Sequence, residues 1–280
     1  MNYKTIELNS WEKFKNLAEH SILEWVFRGQ SNSKWEIRSS LERSGIMTNF
    51  DYAEINMLDD FKRASNHYLR ETQIPETLID WLALLQHYGA PTRMIDFTKS
   101  PYVAAYFAFE NIENDSESVA IWIANKIHFY QGSINYLKNT KIKKIKGNRY
   151  SILDSTFSEI FHTSREGNLD LIIPLESYTM NERYYLQQSV FLSPCNPYKP
   201  FIEQLGFLNG VENESLIKVI LPKSERNKAL RDLERMNITR ASLFPGLEGF
   251  AKSLHLKFST IMSINDMAEN LRYLKKNKLI

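Results

Sequence analysis

Four stretches of the sequence concentrate side chains able to do chemistry. The first is Val26-Phe27-Arg28-Gly29-Gln30. An arginine that closes a hydrophobic strand needs a planar anion, a carboxylate or a phosphate, to hold its guanidinium. Gly29 lets a backbone or a ligand come close, and Gln30 adds donors and an acceptor. An ion pair at a sheet edge would also account for Arg28. The second stretch, from Gln86 to Pro101, packs His87, Tyr88, Arg93, Asp96, Thr98 and Ser100 around Gly89 and Pro91. Glycine and proline fix loop geometry, so polar groups beside them can be held rigidly. Arg93 and Asp96 could pair with one another, and Thr98 and Ser100 could cap the next helix; taken together the group reads as a site. The third stretch carries Glu182, Arg183, Gln187 and Gln188 into a β-rich run. Polar groups there need partners unless the strand start is solvated. The fourth is a basic run without an acid: Lys138, Lys141, Lys143, Lys144, Lys146 and Arg149. It could contact a nucleic-acid backbone or form a solvated face.

Other chemistries have no residues to carry them. The sequence has no phosphate loop, no GxGxxG, no HExxH, no nucleophile elbow and no cluster with metal-ligand spacing, so no metal is expected. His20, His67, His128, His162 and His255 are scattered, and only His87 sits in a dense polar segment. Cys195 is the single cysteine, flanked by Pro194 and Asn196 with no nearby histidine. That argues against a thiol nucleophile, an internal disulfide or a zinc cluster, and fits a reducing compartment. No apolar run approaches the ~20 residues of a membrane span. Met1 to Ser10 lacks a signal-peptide core. The expectation is a cytoplasmic protein with no membrane partner. A net charge of +2 is too balanced to force a nucleic-acid partner by bulk electrostatics.

The elements that must position these groups are readable from periodicity. A helix over 9–22, capped by Asn9, would bury Trp11, Phe14, Leu17 and Ala18. A strand follows from Leu23 to Phe27, with Val26 and Arg28 on one face and Trp25 and Phe27 on the other. Helices are expected over 51–69, with Ile55, Leu58, Phe61 and Leu69 inward, and from Pro75 to Tyr88, stopped by Gly89. Residues 92–97 read as extended. Ser100-Pro101 opens a helix whose Ala104, Ala105 and Ala108 permit close packing. Strands are expected over 118–125, 169–176, 184–192, 215–221 and 254–258, with a helix over 224–236 between the last two. A C-terminal helical element lies within 259–280, centred on 263–275. The polar stretch 131–168 is the best candidate for a boundary or mobile insertion in what is otherwise one domain, 1–280. Helices early and strands later point to an α+β fold: an N-terminal helical region packed on a mostly antiparallel β-sheet.

These residues resemble the FRG-domain family, named for the triplet that stands here as Phe27-Arg28-Gly29. The resemblance includes Gln86-His87-Tyr88-Gly89, Pro91-Thr92-Arg93, Asp96, Thr98, Ser100-Pro101 and the small-residue helix through Phe107-Ala108. It continues through Arg183, Gln187 and Phe191 to Leu243-Phe244-Pro245-Gly246-Leu247-Glu248-Gly249, spanning roughly 20–255, with Ser189 where the family has glycine. A remoter similarity is to ADP-ribosyltransferases. These place an Arg or His on a first core strand and a Ser/Thr/Tyr segment on a second that leads into a small-residue helix. A Glu, sometimes Gln, stands at the start of a later strand. Arg28, Thr98 with Ser100, and Gln187 fall in that order. The resemblance implies a split β-sheet of the ADP-ribosyltransferase kind and NAD as substrate. Arg28 would bind the pyrophosphate or ribose region, Tyr88 would stack on the nicotinamide, and Thr98 and Ser100 would hold ribose hydroxyls. Gly29, Gln30, Arg93 and Asp96 complete the implied NAD-binding set. Arg28, His87, Gln187 and Glu182 are the implied catalytic residues, with Asp96 a further acid–base candidate. The implied activity is a NAD-dependent mono-ADP-ribosyltransferase, a bacterial toxin or antiviral-defence effector with an antitoxin partner, modifying RNA, DNA or protein. The rivals are a non-catalytic nucleotide- or nucleic-acid-binding module and a NAD-cleaving hydrolase or nuclease.

Overall fold

The computed structural model describes residues 3–278 apart from 22–23, 66, 71–73, 112–115, 141–148, 163–168, 180, 210, 212–213, 260–270 and 273. Among these, seven strands form one sheet in the order β1-β7-β4-β2-β3-β6-β5. They are β1 (Lys4–Glu7), β2 (Trp25–Gln30), β3 (Ile95–Thr98), β4 (Ser118–Asn125), β5 (Ile172–Leu175), β6 (Ser189–Pro194) and β7 (Leu216–Pro222). Only β1 and β7 run parallel; every other pairing is antiparallel. The class is therefore α+β with a mixed, mostly antiparallel sheet.

The sheet is covered on both faces. Central β4 is buried from Val119 to Ala124, as its unbroken apolar run demands. On one face pack α1 (Trp11–Glu19), α6 (Pro101–Glu110), α10 (Arg226–Arg235) and α11 (Arg240–Leu243). They bury Trp11, Phe14, Ala104, Ala108, Phe109 and Leu233 against Phe27, Ile121 and Val219. Two short helices, α2 (Ser40–Ser44) and α3 (Ile46–Asn49), precede the other layer, in which pack α4 (Ala53–Ser65), α5 (Leu78–His87), α7 (Lys126–Asn139) and α8 (Arg149–Phe161). Their Leu58, Leu82, Phe129, Leu137, Leu153 and Phe157 meet Val26, Phe97, Trp122 and Phe191. The helical part is thus not confined to the N-terminal region. The second half supplies helices to both layers, and 131–168 contributes the end of α7 and all of α8.

Several expected boundaries move, each for a local reason. Ser10, not Asn9, caps α1, its hydroxyl accepting from the Lys13 N–H. Helix α5 starts at Leu78 rather than Pro75, because the Thr77 hydroxyl accepts from the Asp80 N–H. The run 184–192 divides into a short helix, α9 (Glu182–Leu186), and β6. Asn181 caps that helix through the Tyr184 N–H, and Gln188 turns the chain with φ 50. Residues 254–258 belong to α12 (Leu247–Ser259), not to a strand; Leu247, Phe250 and Leu254 already carry the helical spacing. Strand β1 and helices α7 and α8 have no counterpart among the elements expected from periodicity. Most of the expected C-terminal helix, 263–275, lies outside the described residues.

Strands β2 and β3 share a single residue pair, Phe27 with Thr98. Beyond it, Arg28 to Gln30 pair only with β4 and Ile95 to Phe97 only with β6. The sheet is split there.

Candidate functional site

A cleft of about 1060 Å³ opens beside the split. Arg28 spans the gap in the ladder: its Nη1 donates to the Asp96 carbonyl at 2.8 Å. Strand β2 therefore supplies Arg28, β3 supplies Asp96 and Thr98, and the turn into β6 supplies Gln187 and Ser189. The last turn of α5 adds Gln86 and His87, α6 adds Phe107 and Glu110, and α9 adds Arg183. Lys34, Trp35, Glu36, Arg38 and Arg43 come from the segment after β2.

The polar groups are held by identifiable partners. Gln86 donates through Nε2 to Asp96 Oδ1 at 2.8 Å and accepts the Thr92 hydroxyl at its own oxygen. Its amide orientation is therefore set from both ends. Gln30 is buried, donating to the Glu36 carbonyl at 3.0 Å and accepting the Trp122 indole N–H at 2.6 Å. It clips the 31–36 loop over the cleft instead of presenting its amide to a ligand. Gln187 is also buried and donates to the Leu243 carbonyl at 3.0 Å. Thr98 is buried in the ladder, its hydroxyl accepting from the Ser100 N–H at 3.0 Å.

The cleft carries more positive charge than it neutralises. Glu36 pairs with Arg38 at 3.6 Å and Glu110 with Arg240 at 2.5 Å. Arg28, Lys34, Arg43 and Arg183 have no ion pair among the described residues. Desolvation lowers the Arg28 pKa and Asp96 raises it, while Arg43 disfavours its charge. Burial and then the Arg183 charge hold His87 below the usual imidazole range, so it is neutral at pH 7. Its Nδ1 is buried without a hydrogen-bond partner. Asp96 is the one cleft carboxylate with no ion pair among the described residues. Water reaches it, yet confinement pushes its pKa up, against the pull of Arg28, Arg183 and the Gln86 hydrogen bond.

That balance has a measurable consequence. Because ionising Asp96 costs the folded state, the favourable contribution of its protonated form is complete below the unfolded pKa of 3.8 and lost as pH rises through the higher folded value. Asp96→Asn is therefore expected to raise the Tm at pH 7 and leave it unchanged near pH 3, the gain staying within about 1 kcal/mol because the site is wet. Thermal unfolding at the two pH values checks this. A lower Tm for the variant at pH 7 would mean that Arg28 and Arg183 depend on the carboxylate more than burial penalises it.

Not every expected site residue reaches the cleft. Arg28, Gly29, Gln30, His87, Asp96, Thr98 and Gln187 line it. Gly29 does so as backbone: its missing side chain is required by α6, whose Ala104 carbonyl oxygen would lie 2.0 Å from a Cβ. Tyr88 is 67% exposed, outside the lining, with its ring edge-on to His87. The Ser100 hydroxyl caps α6 through the Val103 N–H at 3.2 Å. Arg93 pairs with Glu54 rather than Asp96 and is buried away from the cleft. Glu182 is exposed in the first turn of α9, also outside the lining. Of the basic run, Lys138 is exposed near the end of α7, Arg149 opens α8, and Lys141, Lys143, Lys144 and Lys146 lie outside the described residues. Cys195 is buried, its thiol pushed up to about 12, so it is no nucleophile. Lys34, Trp35, Arg38, Arg43 and Glu110 are among the lining residues that sequence patterns do not single out, and Arg183, noted in the third stretch, lines the cleft without a role in the implied site.

Among the described residues no group of side chains could hold a metal ion, and no helix is long and apolar enough to cross a membrane. No curated protein matches the sequence, and no solved structure matches it. Residues 23–117, which supply Arg28, Gln86, His87, Asp96 and Thr98 but not Arg183 or Gln187, match the FRG domain family.

Proposed function

We propose that the cleft binds NAD and that the chain is a NAD-dependent mono-ADP-ribosyltransferase-like enzyme. The observation that carries this is convergence: Arg28, Thr98 and Gln187 stand on or beside three adjacent strands, β2, β3 and β6, and line one cleft. That is the arrangement the family resemblance implies. Arg28 binds the pyrophosphate with the N–H groups that Asp96 leaves free. Reaction breaks the bond between C1′ of the nicotinamide ribose and the ring nitrogen. Nicotinamide leaves with the electron pair, and the oxocarbenium-like centre is stabilised by the Asp96 carboxylate. The acceptor's nucleophile then bonds to C1′ and gives its proton to Asp96 or to neutral His87. Thr98 and Gln187 orient the ribose. Tyr88, Arg93, Ser100 and Glu182 have no part in these steps, because they do not face the cleft.

A second reading rests on Gln187. It is uncharged, and its amide is already engaged by Leu243, which favours a nucleotide-binding module without turnover. Incubation with NAD labelled on the adenylate, together with RNA, DNA and lysate, separates the two. The transferase reading expects nicotinamide release with label transfer to one acceptor class, both lost in Arg28→Ala. Release without transfer points to a hydrolase. Binding of NAD without consumption selects the binding module.

A further inference from the structure

We infer that Arg183 is a second phosphate-binding residue of the cleft, presented by the ring of Phe244, so that a diphosphate is held between Arg28 and Arg183. This deepens the NAD reading and shares with it the assumption that the cleft is an anion site.

The case begins with what Arg183 lacks. Its guanidinium has no hydrogen-bond acceptor and no carboxylate partner among the described residues, and its Nε is buried and unsatisfied. A half-buried guanidinium normally finds acceptors, because leaving its donors unmet is costly. Its contact is a ring: the guanidinium carbon lies 4.6 Å from the centre of Phe244. Stacking fixes the plane of the fork but satisfies none of its N–H groups.

Phe244 is itself braced. Phe107 meets it edge-on at 6.0 Å. A second guanidinium, Arg240, lies 4.6 Å from the same ring. Arg240 is tied to Glu110 Oε1 at 2.5 Å, and that oxygen also accepts the Tyr106 hydroxyl at 2.9 Å. Two elements, α6 and α11, are thus committed to holding one ring against Arg183. So much support for an unsatisfied cation is explained by a ligand that satisfies it.

Arg28 presents the complementary half. It has one acceptor, the Asp96 carbonyl, and its Nε is likewise unsatisfied. Both arginines line the same cleft as Asp96, and both charges pull its pKa down. Two planar forks with open donors, facing one cleft from β2 and α9, match two linked phosphates better than one carboxylate.

Inorganic pyrophosphate tests this without assuming a nucleotide. Calorimetry should show it binding the intact protein more tightly than orthophosphate, with Arg28→Ala and Arg183→Ala each weakening it roughly 10- to 100-fold. Phe244→Leu should weaken it as Arg183→Ala does, and Phe244→Tyr, which keeps the ring, should restore it. Should Arg183→Ala prove unfolded by thermal melting, Arg183→Lys keeps the charge without the flat fork and should still lose affinity. Pyrophosphate affinity unchanged in the Arg183 variants but lost in Arg28→Ala overturns the inference while leaving the NAD reading intact. Pyrophosphate binding that needs both arginines in a protein that neither binds nor consumes NAD sustains the inference and removes that reading.

Discussion

Arg93→Ala is expected to destabilise the protein by about 3–5 kcal/mol, lowering the Tm by on the order of 10 °C. Arg93 is 3% exposed and Glu54 fully buried. The Glu54 carboxylate accepts the Arg93 backbone N–H at 2.7 Å and its Nε at 2.5 Å. Nη1 donates to the Cys195 carbonyl at 3.1 Å, and the guanidinium lies 4.6 Å from the centre of the Phe161 ring. One side chain therefore joins α4, the approach to β3, the end of β6 and α8. Truncating it strands a buried carboxylate with the backbone N–H alone, and the Cys195 carbonyl loses a donor. Replacing both partners by apolar residues removes the stranded charge, so Arg93→Met with Glu54→Leu should recover most of the loss. Ligand binding by that double variant should match the wild type, since neither residue faces the cleft. A near-native Tm for Arg93→Ala together with lost NAD or pyrophosphate binding would return Arg93 to the site.

This pair marks the limit of what neighbouring residues can reveal. Glu54 and Arg93 are 39 residues apart; nothing near Arg93 announces its partner, and the obvious candidate was Asp96, three residues on. The same limit hid Lys34, Trp35 and Arg43. Lys34 and Trp35 lie in an irregular turn and reach the cleft because the buried amide of Gln30 clips the chain at Glu36, and Arg43 stands on the short helix Ser40–Ser44 that follows. Arg183 sat in a segment already noted for its polar groups. Its place became visible only through Phe244, 61 positions later, whose ring it faces.

Where local chemistry decided the outcome, the sequence was informative. Ser100-Pro101 opens α6 as cap and first-turn proline. The apolar run 118–125 is the buried strand β4. Arg28, Asp96 and Thr98, singled out by residue type, meet at the cleft because β2 and β3 part there: Thr98 shares the face of Phe27, its register partner, and Arg28, on the other face, reaches across the gap to the Asp96 carbonyl. Tyr88 and Ser100 stand outside the cleft lining, each placed by the end of a helix. Tyr88 is the C-cap of α5, followed by Gly89 at φ 93, and the Ser100 hydroxyl is used by its own helix. Sheet order was less legible, since β1 joins β7 with Lys4 opposite Ile217, a pairing that no local pattern encodes.

Gly29→Ala is the second change expected to be severe, and it separates two meanings of the Phe27-Arg28-Gly29 triplet. A methyl group at position 29 would lie 2.0 Å from the Ala104 carbonyl oxygen and 2.6 Å from the Ala108 nitrogen. Both are backbone atoms of α6, so no rotamer change relieves the contact; the helix must move away from β2. Overpacking of this kind costs upward of ~3 kcal/mol when the neighbours cannot yield. The displacement would also disturb the cleft, because α6 carries Phe107 and Glu110 while Arg28 and Gln30 flank the glycine. Loss of soluble protein, or a Tm lower by on the order of 10 °C, is the expected result. Adding Ala104→Gly should not rescue it, since the obstructing atom is the carbonyl oxygen rather than the Ala104 methyl. A Gly29→Ala protein with wild-type Tm and impaired ligand binding would instead show that the glycine serves the ligand. With the expected result, the glycine serves the seam between β2 and α6, and the chemistry of the triplet belongs to Arg28 alone.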